Sequence, residues 1–128
     1  MADDVRRKKW AAMRPRVSLP RIRGTQGGLR DWSVVDRIKF DLRRGQYAFQ
    51  ERRGQIGGVR DRRGTYYVVE GHHRMVAALE CYHESGDAAA VLELLRWGQW
   101  TEIDRPPSDR RPLPARHWWG AFRNWIGY

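Results

Sequence analysis

The sequence predicts a small α+β domain: a mixed sheet with helices packed on it. Three observations carry this. Short runs at the period of a strand alternate with longer runs at the period of a helix, the 128 residues suit a single core, and no stretch approaches the roughly 20 apolar residues of a membrane span. The first 14 residues form a charged, basic arm. Val17 to Ile22 then alternates apolar and polar as a half-buried strand does, with Pro20 placing it at a sheet edge or ending it early. After a loop from Gly24 to Gly28, Asp31 can cap a helix reaching about Arg44, with Val34, Val35, Ile38 and Leu42 on one face and Gly45 as its stop. Gln55 to Arg60 and Thr65 to Glu70 flank Asp61-Arg62-Arg63-Gly64 and read as a hairpin.

From His72 the period becomes helical, with Met75, Ala78, Leu79 and Tyr82 in one stripe that ends near Gly86. Asp87 can cap a further helix, Ala88 to Trp97, and Trp100 to Ile103 reads as a last short strand. Residues 105–116 contain Pro106, Pro107, Pro112 and Pro114, so they are expected to be an extended linker. Residues 117–128 place Trp118, Trp119, Phe122, Trp125 and Ile126 at helical spacing. That segment suits a face docked on the core or on a protein partner.

Charge is divided unevenly along the chain. Residues 1–63 hold 18 of the 25 Lys+Arg and 7 of the 15 Asp+Glu, a net of +11, whereas residues 64–128 carry a net of −1. Such a field attracts a polyanion, most simply nucleic acid, and the candidate contacts are Arg6, Arg7, Lys8, Lys9, Arg43, Arg44, Arg62 and Arg63. Preference for arginine over lysine also follows from a GC-rich genome, without any ligand. One cysteine, Cys81, can close no intramolecular disulfide and builds no zinc site of Cys₄ or Cys₂His₂ type. The expectation is a soluble, cytoplasmic protein with no secretory signal and no membrane partner.

The most chemically specific segment is Tyr66-Tyr67-Val68-Val69-Glu70-Gly71-His72-His73-Arg74-Met75-Val76-Ala77-Ala78-Leu79. An apolar strand here runs into a glycine, two histidines and an arginine that open a helix. Unpaired N–H groups and the positive end of the helix dipole make such a start an anion site. Arg74 has the fork that suits phosphate oxygens, and a first-turn arginine is unfavourable with the dipole unless an anion or a nearby acid such as Glu70 offsets it. Gly71 serves either close ligand approach or the turn itself. His72 and His73 can donate to phosphate or move a proton, and Glu70 can orient a histidine, water or Mg²⁺. Adjacent histidines diverge on a helix, so no metal site is expected from this pair alone.

The order strand, loop, helix, hairpin, then Glu70-Gly71-His72-His73-Arg74 opening a helix resembles the ParB/sulfiredoxin superfamily, in particular small ParB-like proteins with this Gly-His-His-Arg turn. The match covers about residues 15–104. The resemblance implies a ParB/sulfiredoxin-like single domain whose Gly71 to Arg74 turn binds nucleotide phosphates, with Thr25 and Gln26 adding polar contacts. It also implies CTP or ATP, with Mg²⁺, as the ligand. His72 stands where sulfiredoxin has its catalytic cysteine, and Cys81 lies two turns past Arg74, about 10 Å along the axis. No room remains for the helix-turn-helix and dimerisation segments of partition proteins. The expected function is nucleotide or nucleic-acid phosphate binding, with hydrolysis of NTP as the associated chemistry. The alternatives are a ParB-like nuclease, such as a bacterial toxin effector domain, and a non-catalytic DNA-binding adaptor.

Overall fold

A computed structural model describes residues 18–116. The basic arm, with Arg6, Arg7, Lys8 and Lys9, and the Trp-rich segment 117–128 lie outside the described residues. In chain order the elements are β1 (Ile22–Gly24), α1 (Trp32–Arg43), a 3₁₀ turn (Arg52–Gly54), β2 (Gly57–Asp61), β3 (Tyr66–Glu70), α2 (His72–Ser85), α3 (Ala89–Trp97) and β4 (Gln99–Ile103). This is a small mixed α+β domain.

Local chemistry sets most of the boundaries. Asp31 caps α1 by accepting from the Ser33 N–H (2.9 Å) and Ser33 Oγ (2.6 Å). Asp61 closes the hairpin by accepting from the Arg63 and Thr65 N–H groups at 2.9 and 3.0 Å, and Gly64 takes the left-handed conformation the turn requires. Gly86 stops α2 in the left-handed region and returns its N–H to the Tyr82 carbonyl. Asp87 accepts from the Ala89 N–H at 2.9 Å, one residue further from α3 than a side-chain cap usually sits.

The sheet order is β1-β3-β2-β4, with β1 parallel to β3, β2 antiparallel to β3 and β4 parallel to β2. The first strand falls at residues 22–24 rather than 17–22, so the alternating run from Ser18 to Arg21 is irregular instead. Its pairing explains the shift. β3 is five residues long, and only Ile22 to Gly24 reach Tyr66 to Val68 in register. As Pro20 suggested, β1 lies at the sheet's margin.

One sheet face, through Ile22, Val68 and the ring of Trp100, packs on Val35, Met75, Val76, Leu79, Val91 and Leu94 of the three helices. The opposite face carries the row Arg23, Tyr67, Val59 and Thr101, joined by strand pairing. Residues 105–116 contain no regular element beyond one bridge, yet they are held to the domain. Arg111 exchanges both backbone hydrogen bonds with Gly24 (2.8 and 2.9 Å), and Leu113 is 1% exposed in the core. Arg116 then reaches the helices. Its guanidinium contacts Asp36 of α1, donates to Glu80 of α2 at 2.9 and 3.1 Å, and stacks over the Trp32 ring. Glu80, fully buried, also accepts from Lys39 Nζ at 2.9 Å. Among the described residues no helix is long and apolar enough to cross a membrane.

Candidate functional site

Only Gly71 separates β3 from α2, and it is forced to be a glycine twice over. Its φ is +94°, and a Cβ there would stand 2.4 Å from Ile56 Cγ2. The resulting sharp turn aims the start of α2 at α1. No side chain caps this end, and the Gly71 carbonyl accepts from both the Arg74 and Met75 N–H groups at 3.1 Å. The N–H groups of His72 and His73, ahead of them, therefore have no acceptor within the helix.

The two histidines go in different directions. His72 is buried against Gly24, where a Cβ would meet its ring at 3.1 Å, and its Nε2 accepts from the Thr25 N–H at 3.1 Å. Burial holds its pKa below the ordinary histidine value, with a further lowering from His73, against an opposing pull from the Val68 carbonyl. His72 is thus a neutral acceptor that ties the end of β1 to the start of α2. Thr25 completes that tie by donating its hydroxyl to the Val68 carbonyl at 3.0 Å, while Gln26 is exposed and donates to Gly28.

His73 and Arg74 instead line a cavity of about 210 Å³ together with Gly71 and with Val34 and Ile38 of α1. His73 Nε2 is buried and has no hydrogen-bond partner among the described residues. Arg74 donates through Nη2 to the Arg53 carbonyl at 2.8 Å, which fixes the guanidinium at the cavity while its other N–H groups remain available. Its charge is also felt by Tyr47, whose hydroxyl donates to the Gly54 carbonyl at 2.6 Å and whose pKa burial pushes up to about 12. Asp31 is close enough for its carboxylate to be stabilised by His73 after its larger stabilisation by Ser33. Glu70 is exposed and does not line the cavity.

The cavity brings together an uncapped helix start, a buried imidazole nitrogen without a partner among the described residues and an anchored guanidinium on an apolar wall, groups whose chemistry can hold an anion. Among the described residues no carboxylate lines it, so these residues offer bare Mg²⁺ no ligand, whereas Mg²⁺ carried on nucleotide phosphates is compatible with them. Among the described residues no three of His, Cys, Asp and Glu cluster to hold a metal. Val34 and Ile38 read from the sequence as core positions. Their helical spacing gave them a shared face, but only the turn at Gly71 decides that this face meets His73.

The remaining candidate cations are largely engaged. Arg43 pairs with Glu84, Arg44 stacks over the Phe40 ring at 4.9 Å, and Arg62 pairs with Asp104 at 2.8 Å. Arg63 sits beside Asp61 and contributes to keeping that carboxyl below its ordinary range. A larger cleft of about 530 Å³ lies between Arg60, Asp61, Arg62, Glu102, Ile103 and Asp104; its arginines pair with Glu102 and Asp104 and Asp61 is held by Thr65 and Tyr67, while Arg60 Nε is buried without a partner among the described residues. Comparison with protein-family models, with curated proteins and with solved structures finds no match.

Proposed function

We propose that this domain binds the phosphate group of a nucleotide at the start of α2, in the manner of the ParB/sulfiredoxin proteins it resembles. The observation that supports the reading is the convergence of His73 Nε2, without a partner among the described residues, and Arg74 on one cavity at an uncapped helix start. At about 210 Å³ the cavity is smaller than the roughly 300 Å³ that begins the range for whole-ligand pockets, so it suits a phosphate rather than a complete nucleotide. The sugar and base would extend outward past α1. In this reading Arg74 and His73 are the ligand-binding residues, and His72, Thr25 and Gly71 hold the turn in shape. Glu70, exposed beside the site, is the group through which Mg²⁺-linked water could be oriented if hydrolysis accompanies binding.

Calorimetric titration of the four NTPs with Mg²⁺, on the full chain, tests this. A charge-assisted hydrogen bond is worth about 1.5–3 kcal/mol, so Arg74→Ala is expected to weaken the bound nucleotide by roughly 10- to 150-fold in a protein that keeps its helical spectrum. Unchanged nucleotide affinity in that folded variant overturns the assignment. Following phosphate release and strand integrity in the same samples separates binding from NTP hydrolysis and from nuclease action.

A further inference from the structure

The sheet face turned away from the helices carries arginines that form no ion pair among the described residues. Ile22 and Gly24 are buried toward the core and side chains alternate along a strand, so Arg23 projects from the other face; Arg21, immediately before β1 with its carbonyl accepting from the Tyr66 N–H at 2.9 Å, is exposed beside it. Arg23 pairs with Tyr67 across the sheet, and Tyr67 donates its hydroxyl to Asp61 Oδ2 at 2.9 Å. Arg110 comes to the same place from the other direction. The bridge between Arg111 and Gly24 brings it alongside β1, and its charge bears on the Tyr67 hydroxyl.

None of Arg21, Arg23 and Arg110 forms an ion pair among the described residues, in contrast to Arg43, Arg62 and Arg116. Arg110 spends one N–H on the Pro107 carbonyl, and Arg23 Nε is buried without a partner. The carboxylate on this face, Asp61, is occupied by Tyr67 and by the Arg63 and Thr65 N–H groups, and Asp109, in the turn before Arg110, pairs with none of the three arginines. Three uncompensated guanidinium groups thus flank a sheet row of Tyr67, Val59 and Thr101 that offers no opposing charge.

We propose that this face holds the phosphate backbone of a nucleic acid, with Arg21, Arg23 and Arg110 as its contacts. Guanidinium forks match phosphate oxygens, and two of them in sequence at β1 with a third supplied by the returning chain follow a polymer of phosphates better than they follow a single anion. The surface is separate from the cavity at α2, so the proposal stands or falls independently of nucleotide binding there.

The test is the salt dependence of binding by the full chain to labelled 20-residue single strands and duplexes, of DNA and RNA. Each phosphate contact contributes about 0.9 to the slope of log affinity against log salt on duplex and about 0.7 on single strands. An Arg21→Gln/Arg23→Gln/Arg110→Gln variant is therefore expected to lose up to three contacts, so its affinity changes about 40-fold less than the parent's between 50 and 200 mM salt on duplex. The corresponding triple lysine variant is expected to keep most of the slope, and Arg96→Gln, on α3 behind the other sheet face, to leave it unchanged. A folded triple glutamine variant with the parent's slope overturns the proposal. So does binding to vesicles of anionic lipid that shows the same triple dependence when nucleic acid is not bound.

Discussion

His72 shows how one residue of a motif can be structural while its neighbour lines the candidate cavity. Its ring is buried and neutral, with Nε2 accepting from the Thr25 N–H, so protonation would both bury a charge and abolish that bond. The sign of the pH effect follows. The folded pKa lies below the unfolded value of about 6.5, so below that pH the unfolded chain binds more protons than the native one. Stability is fully present above about pH 6.5 and falls as pH drops, by no more than about 1.4 kcal/mol per pH unit from this group. Chemical denaturation between pH 7.5 and 5 should show that decline, and His72→Gln, which retains an acceptor, should flatten it. An unaltered acid limb in the variant would place the titration elsewhere. His73, by contrast, lines the candidate cavity. The motif letters alone could not separate the two, because which imidazole turns inward depends on Gly71 being left-handed and on Gly24 leaving space for a ring.

At the scale of elements, much was legible because the signals are local. Asp31 and Gly45 bound α1, Gly64 closes the hairpin and Gly86 ends α2, each through hydrogen bonds or backbone angles that its own residue type favours. The position of β1 was not, since a three-residue strand is set by its partner rather than by its own alternation. The ion cluster joining α1 and α2 was also hidden, because its members come from three separate parts of the sequence. Glu80 lies on the apolar side of α2 and is 0% exposed, with Lys39 and Arg116 as partners and Glu84 sharing Lys39. Removing one member of a buried pair leaves the others uncompensated, which costs about 3–5 kcal/mol. Glu80→Ala should lose stability on that scale in denaturant titration, whereas Arg43→Ala, whose pair with Glu84 is exposed, should lose less than about 1 kcal/mol. Equal losses in the two would show that burial is not what makes the Glu80 cluster matter.

At the scale of the whole molecule, residues 105–116 decide where the domain ends. Their prolines correctly indicate an irregular, extended path, but composition cannot show whether such a path leaves the domain or returns to it. Here it returns. Having left β4 at one edge of the sheet, the chain reaches β1 at the other edge, inserts Leu113 into the core beside Gly24 and His72, and ends on the α1–α2 ion cluster through Arg116. The segment thereby supports three things at once: the outer edge of β1, the ring of His72 that positions the α2 start, and the charge of Glu80. Leu113→Ala removes a fully buried side chain and should cost about 2–5 kcal/mol in unfolding free energy. Because the cavity left behind adjoins His72, the same variant should also weaken nucleotide binding, if the proposed site at His73 and Arg74 takes one, although Leu113 does not line that cavity. Leu92→Ala, at an exposed position of α3, is the control expected to change neither quantity appreciably. If Leu113→Ala unfolds no more easily than the Leu92 variant, residues 105–116 are a linker lying on the surface, and the functional domain ends with β4.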